Sequence, residues 1–290
     1  QMASISSQVQ RTMAAAERIF NFLDEPEIVE KTPKYTVENS NIRGDICFDH
    51  VCFGYEDTDE TVIHDFSADV KAGQKIAIVG PTGAGKTTMV KLLMRFHDLK
   101  SGRIYLDGKD ITEFARGDLR KEFGMVLQDT WLYSGTIMEN IRYGRLDATD
   151  EEVIQAAKAA QVDHFVRTLP DGYNTILNEE ATNVSQGQKQ LLTIARAILS
   201  DSRIMILDEA TSSVDTRTEL SIQTAMDNLM RGRTSFIIAH RLSTIRNADL
   251  ILCMKDGDIV EQGTHEELLA KNGFYANLYN SQFEHAEESA

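Results

Sequence analysis

Gly80-Pro81-Thr82-Gly83-Ala84-Gly85-Lys86-Thr87 constrains this chain more than any other stretch. It fits the pattern G-x-x-x-x-G-K-[ST], follows the apolar run Ile76–Val79, and opens a helical pattern that runs from Lys86 to about Phe96. Glycines at those places let the backbone wrap a phosphate with its N–H groups turned inward. The N-terminus of the following helix adds positive potential. Lys86 has the reach for β- and γ-phosphates, the Thr87 hydroxyl can ligate Mg²⁺, and Thr88 follows in the same turn. A strand, a glycine loop and a helix in this order also define an α/β unit.

Charge makes that loop more informative. The chain holds 30 Lys plus Arg against 45 Asp plus Glu, a formal net charge of −15. Such a surface repels phosphate backbones at long range, which counts against a nucleic-acid partner and demands a local device for any phosphate. An apolar share of 42% and a charged share of 26% exclude wholesale disorder. Cys47, Cys52 and Cys253 are too few for a disulfide scaffold and fit a reducing compartment, and Cys47 and Cys52, with no metal-ligand spacing, read as core filler. No window is apolar for long enough to cross a bilayer, and no signal-peptide pattern occurs. The chain starts at Gln1, so a piece of something longer is expected.

The spacing of Ile5, Val9, Met13, Ala16, Phe20 and Leu23 predicts an amphipathic helix over 1–24, stopped by Asp24-Glu25-Pro26. Residues 25–44 are acidic and read as a linker. Strands are expected at Ile46–Phe53, Val62–Val70, Lys75–Val79, Arg103–Leu106, Phe123–Leu127, Ile204–Leu207, Ser235–Ile238 and Leu250–Met254. Helices are expected over much of 136–200, with one at Gln186–Leu199, then near Glu219–Met230 and Ser243–Asn247. Alternation of this kind implies a mostly parallel sheet covered by helices and interrupted by a helical insert.

Ile204-Met205-Ile206-Leu207-Asp208-Glu209 is an apolar strand ending in two acids. Ligands of open α/β sheets bind beyond the carboxyl ends of the strands, so these carboxylates lie at a ligand-binding edge. Asp208 is expected to hold Mg²⁺, through water, because Mg²⁺ takes few protein ligands. Glu209 is expected to orient or deprotonate an attacking water. Asn183-Val184-Ser185-Gln186-Gly187-Gln188-Lys189-Gln190 precedes a helix, and its serine is on its own as well explained by an N-cap.

With that third motif, the chain resembles the nucleotide-binding domain of ATP-binding-cassette (ABC) transporters, whose signature reads Leu-Ser-Gly-Gly-Gln. The resemblance covers about residues 45–275, with the motifs in the family's order. It implies an α/β fold: a P-loop NTPase core of RecA-like type, an antiparallel β subdomain, and a helical subdomain inserted at about 134–198. It implies ATP and Mg²⁺ as cofactors, with Tyr55 stacking on adenine and Gly80, Pro81, Thr82, Gly83, Ala84, Gly85, Lys86, Thr87 and Thr88 around the phosphates. Gln128 matches the Q-loop glutamine, which touches Mg²⁺ or water and relays to a transmembrane partner. Ser212-Ser213-Val214-Asp215 matches the D-loop, and His240 the switch histidine at the γ-phosphate. Ser185, Gly187 and Gln188 are implied to complete the γ-phosphate site of an opposite subunit. The implied catalytic set is Lys86, Gln128, Glu209 and His240, and the implied metal set Thr87, Gln128 and Asp208.

Gln128-Asp129-Thr130-Trp131-Leu132-Tyr133-Ser134-Gly135-Thr136-Ile137-Met138-Glu139-Asn140-Ile141 looks like the exporter pattern Gln-Asp-x-x-Leu-Phe-x-Gly-Thr-Ile-x-Glu-Asn-Ile. On that likeness, helix 1–24 continues from a transmembrane domain of the same polypeptide. Residues 45–280 form the nucleotide-binding domain on the cytoplasmic face of the cell membrane, and 281–290 form an acidic tail. An importer ATPase is the runner-up. A DNA-repair ATPase is disfavoured by the charge and by the short stretch between Gln128 and Ser185, and a module without turnover by the presence of Glu209 and His240. Gln186 stands where the signature has glycine, and Asn178-Glu179-Glu180-Ala181 replaces the usual Gly-Glu-x-Gly. Those departures suggest pairing with a different chain, as a heterodimer with one strong and one weak site.

Overall fold

The computed structural model describes residues 2–25, 32–36, 42–55, 60–127, 130–178, 182–208, 215–239 and 241–287. The chain divides into two compact units, 1–32 and 33–290. The first is helix α1 (Met2–Asp24), which ends two residues before Pro26. Proline supplies no N–H and disfavours helical geometry just before it. Among the described residues no helix is long and apolar enough to cross a membrane.

The second unit begins with β1 (Ile46–Phe53), β2 (Ile63–Val70), β3 (Lys75–Val79) and α2 (Lys86–Leu93). There follow β4 (Ser101–Leu106), β5 (Lys109–Asp110), α3 (Arg116–Lys121), β6 (Phe123–Val126) and β7 (Gly135–Thr136). The helical insert holds α4 (Ile137–Arg142), α5 (Asp150–Ala159), α6 (Asp163–Thr168), β8 (Ile176–Leu177) and α7 (Gln186–Ser200). Next come β9 (Ile204–Asp208), α8 (Thr216–Met230), β10 (Thr234–Ile238), α9 (Leu242–Arg246) and β11 (Leu250–Lys255). The unit closes with β12 (Asp258–Gly263), α10 (His265–Ala270) and α11 (Phe274–Glu287).

The central sheet has the order β12-β11-β3-β10-β9-β6 and is parallel except for β12, which runs antiparallel to β11. A second, antiparallel sheet has the order β2-β1-β4-β5. Alternation along the buried central strands decides which core each residue joins. Ala77, Val79, Met205, Leu207, Ile237, Ile251 and Cys253 face one core, shared with α5, α7 and α8. Ile76, Ile78, Ile204, Ile206, Phe236, Leu252 and Met254 face the other, shared with α2 and with Phe48 and Phe66 of the antiparallel sheet. Both faces of the parallel sheet are therefore covered, as continuous apolar strands require.

Several details differ from the sequence reading. Helix α2 stops at Leu93 rather than near Phe96. Arg95 adopts a left-handed φ of 56°, and its guanidinium donates to the Ile111 and Phe114 carbonyls at 3.3 and 2.8 Å while Arg116 donates to the Arg95 carbonyl at 2.8 Å. Part of the expected linker is docked. The Lys34 N–H donates to Glu113 O at 2.8 Å, the Tyr35 ring lies 5.6 Å from that of Phe114, and the Arg43 and Asp45 N–H groups donate to the Asp107 carboxylate at 2.7 and 2.9 Å. The insert contains the short pair β7–β8 besides its helices. Helix α11 runs into the expected tail as far as Glu287, and at its start the Phe274 and Tyr275 N–H groups donate to Glu261 at 3.0 and 2.8 Å.

Candidate functional site

Strand β3 is buried from Ile76 to Val79, and the chain then turns through the glycine loop. Gly80 has φ 152°, and a Cβ there would run into the Met254 carbonyl of β11. Gly85 has φ 95°, and its Cβ would meet Ile63 Cδ1 at 2.7 Å. Glycine is therefore needed at both for conformation and for space. Gly83, at φ 85°, faces open space instead, where a ligand can approach the backbone. Ala84 is buried and its N–H donates to Pro81 O at 3.2 Å, closing the loop against α2.

Lys86 is the first residue of α2 and folds back onto this loop, its Nζ donating to the Gly80 and Pro81 carbonyls at 2.7 and 3.0 Å. Burial holds its pKa below the ordinary lysine value, while the Asp208 carboxylate pulls the other way. Asp208 ends β9, two strands away. In the ladders Ile238 of β10 pairs with both Ile78 and Asp208, so the loop and the acid leave the sheet at one level. A cleft of about 440 Å³ is lined by residues 82–88, Asp208, Val62 and Ile238.

The cleft thus offers an ammonium, the Thr87 hydroxyl and the Asp208 carboxylate on one side of a glycine cradle. A lysine and a helix N-terminus suit phosphate, and the two hard oxygen donors suit Mg²⁺.

The other sequence-derived residues lie elsewhere. Tyr55 does not line the cleft; its hydroxyl reaches Thr88 Oγ1 at 3.3 Å, and its ring stands edge-on to Phe53 and His97 at 5.0 and 5.3 Å. Ser185 caps α7: its Oγ accepts from the Gln188 N–H at 3.3 Å, and Gln188 Oε1 accepts from the Ser185 N–H at 2.8 Å. Gly187 is buried in the first turn. Asp215 caps α8, accepting from the Thr218 N–H and hydroxyl at 3.0 and 2.7 Å, and these bonds hold its carboxyl below the ordinary range. None of these lines the cleft with the glycine loop. Gln128, Glu209 and His240 lie outside the described residues, as do Glu179 to Ala181.

The sequence reading missed Met254, whose carbonyl makes Gly80 obligatory, and Thr130, whose Oγ1 accepts from Gln186 Nε2 at 3.1 Å. Nothing local marks the first. For the second, the unusual glutamine of the signature was the available signal.

The ABC transporter family model matches residues 63–212, which contain the glycine loop, Ser185 and Asp208. The chain belongs to the ABC transporter family. It is the nucleotide-binding domain, the part of such transporters that binds and hydrolyses ATP. The chain is 56% identical over 278 residues to the "Fatty acid ABC transporter ATP-binding/permease protein" of Mycobacterium bovis, covering 96% of this chain and 43% of that one. It is 45% identical over 281 residues to the "ATP-dependent lipid A-core flippase" of Legionella pneumophila, covering 97% and 47%. Among solved structures, a bacterial Atm1-family ABC exporter with ATP bound matches with a TM-score of 0.83 and 40% identity, over 95% of this chain and 48% of the exporter. The chain thus spans less than half the length of these relatives.

Capping gives Ser185 a measurable structural role in this ABC domain. Ser185→Ala is expected to cost about 1 kcal/mol of stability through the lost N-cap. Ser185→Asp keeps a capping oxygen and is expected to melt with the parent. Thermal melts of the two variants beside the parent check both.

Proposed function

We propose that this chain is the MgATP-driven motor of an exporter for a lipid-like or drug-like substrate, working at the cytoplasmic face of a membrane. The observation that carries the reading is the convergence of the glycine loop, Lys86, Thr87 and Asp208 on one cleft at the edge of the parallel sheet. The relatives named for fatty acid and lipid A-core support a lipid-like substrate. Their fused permease supports a transmembrane domain on the same polypeptide, with α1 leading out of it.

In this reading, residues 80–88 enclose the phosphates and Lys86 exchanges its two loop carbonyls for β- and γ-oxygens. Tyr55 stacks on adenine. Bound Mg²⁺ supplies charge neutralisation on the phosphates, and Thr87, Asp208 and Gln128 are the residues to hold it. Glu209 takes the proton of the attacking water, and His240 steadies the γ-phosphate. Ser185, Gly187, Gln188 and Asp215 serve the nucleotide of a second domain, paired head to tail. Their absence from the lining of the chain's own cleft supports that assignment.

The second domain is proposed to be a different chain. Gln186 spends its side chain on Thr130 of its own chain, so the case for a heterodimer rests chiefly on Asn178-Glu179-Glu180-Ala181. Light scattering of Glu209→Gln with MgATP is expected to reveal a dimer with two nucleotides; a monomer at every concentration counts against the pairing. Co-expression of the full polypeptide with its genomic neighbour is expected to yield a mixed pair. A homodimer with two equally active sites removes the heterodimer.

A further inference from the structure

Helix α7 is fastened to the segment 130–133 at two levels. In its C-terminal half, Arg196 donates from Nε to Asn140 O at 2.9 Å, from Nη1 to Trp131 O at 3.1 Å and from Nη2 to Asn140 Oδ1 at 3.2 Å. Asn140 in turn accepts from the Tyr133 N–H at 3.1 Å and donates to the Tyr133 carbonyl at 3.0 Å. The Arg196 guanidinium also lies 5.9 Å from the Trp131 ring centre and 5.3 Å from that of Tyr143. Residues 131–133 are therefore tied to the C-terminal half of the helix.

At the first turn, a hydrogen bond from Gln186 Nε2 to Thr130 Oγ1, at 3.1 Å, joins α7 to this segment. Gln186 sits between the N-cap Ser185 and the buried Gly187. A glycine at this position has no side chain to span the gap. The capping box fixes Ser185 to its own helix, but it does nothing to hold that turn against residues 130–133.

We propose that Gln186 is a positioning residue. By donating to Thr130 it keeps Ser185 and Gly187 in fixed register with the segment that follows the Q-loop position, so the signature turn and that segment move as one body. This rests on the ATPase reading above, because the register matters when the signature turn meets a nucleotide. One neutral hydrogen bond between partly exposed groups supports about a twofold to tenfold effect.

The test compares Thr130→Val, which removes the hydroxyl at constant shape, Thr130→Ser, which keeps it, Gln186→Ala, and the Thr130→Val/Gln186→Ala double variant. Turnover against ATP concentration is measured together with amide exchange of 130–133 and the first turn of α7. Expected are an about twofold to tenfold loss of kcat in Thr130→Val and in Gln186→Ala, no further loss in the double variant, and recovery in Thr130→Ser. Exchange at the first turn is expected to quicken in the same two single variants. Additive losses, a Thr130→Ser variant as slow as Thr130→Val, or unchanged exchange overturn the proposal. A parent chain without turnover sinks only the ATPase reading, and the exchange rates then still decide the latch.

Discussion

Glu209→Gln is expected to keep MgATP binding and to lose turnover by about 10²–10⁴-fold, the usual contribution of a positioned base. Glutamine preserves the shape of the side chain and removes only its ability to take a proton from water. The groups proposed to hold the phosphates are untouched. Lys86 and the glycine loop lie at the end of β3, and Asp208 ends β9 at the same level of the sheet. Asp208→Asn is the contrast. It neutralises the carboxylate that lines the cleft, so it is expected to weaken Mg²⁺-dependent binding as well as turnover. Equilibrium nucleotide binding with and without Mg²⁺, beside single-turnover phosphate release, separates the two acids. A Glu209→Gln domain that hydrolyses at the parental rate removes Glu209 from the chemistry.

Features written in short stretches of sequence were legible. The parallel strands are continuous apolar runs, and sheet pairing needs little more than that pattern and the turns that bound it. The glycine loop was legible because its backbone needs glycine where other residues are strained. Features set by contacts distant in sequence were not. No residue type marks Arg95 for a left-handed turn, and its guanidinium is held by the carbonyls of Ile111 and Phe114 across the fold. Strand β12 is mostly polar and half exposed, so it carries no apolar run, and its partner β11 determines it. Residues 33–36 look like linker until Glu113 and Phe114 accept them. In the site, sequence order separates Lys86 from Asp208, and the parallel ladders of β3, β10 and β9 bring the loop and the acid to one level and one cleft. The sequence marks Gln186 only as a departure from the signature, because a side chain's direction is set by its neighbours and Thr130 is not visible as one.

Lys86→Ala is expected to lower ATP affinity by about 10²–10⁴-fold while leaving AMP binding within about threefold. A hydrogen bond to a charged group contributes about 1.5–3 kcal/mol, and the lysine is proposed to make two, to the β- and γ-phosphates. The surrounding charge gives it little help: at −15 the chain as a whole repels a nucleotide anion, so the local ammonium carries an unusual share of the attraction. Lys86 is also already partly desolvated, and burial depresses its pKa. Its charge is thus poorly shielded by water and interacts more strongly with phosphate than an exposed lysine does. Because the folded pKa lies below the ordinary value, ATP affinity in the parent is expected to fall on the alkaline side at a lower pH than for a free lysine, and Lys86→Ala to lack that limb. AMP is the control, since it has no β- or γ-phosphate for the lysine to meet. Titration calorimetry with ATP, ADP and AMP across pH reads every arm. Equal losses for ATP and AMP mean that Lys86 supports the loop through the Gly80 and Pro81 carbonyls rather than binding phosphate.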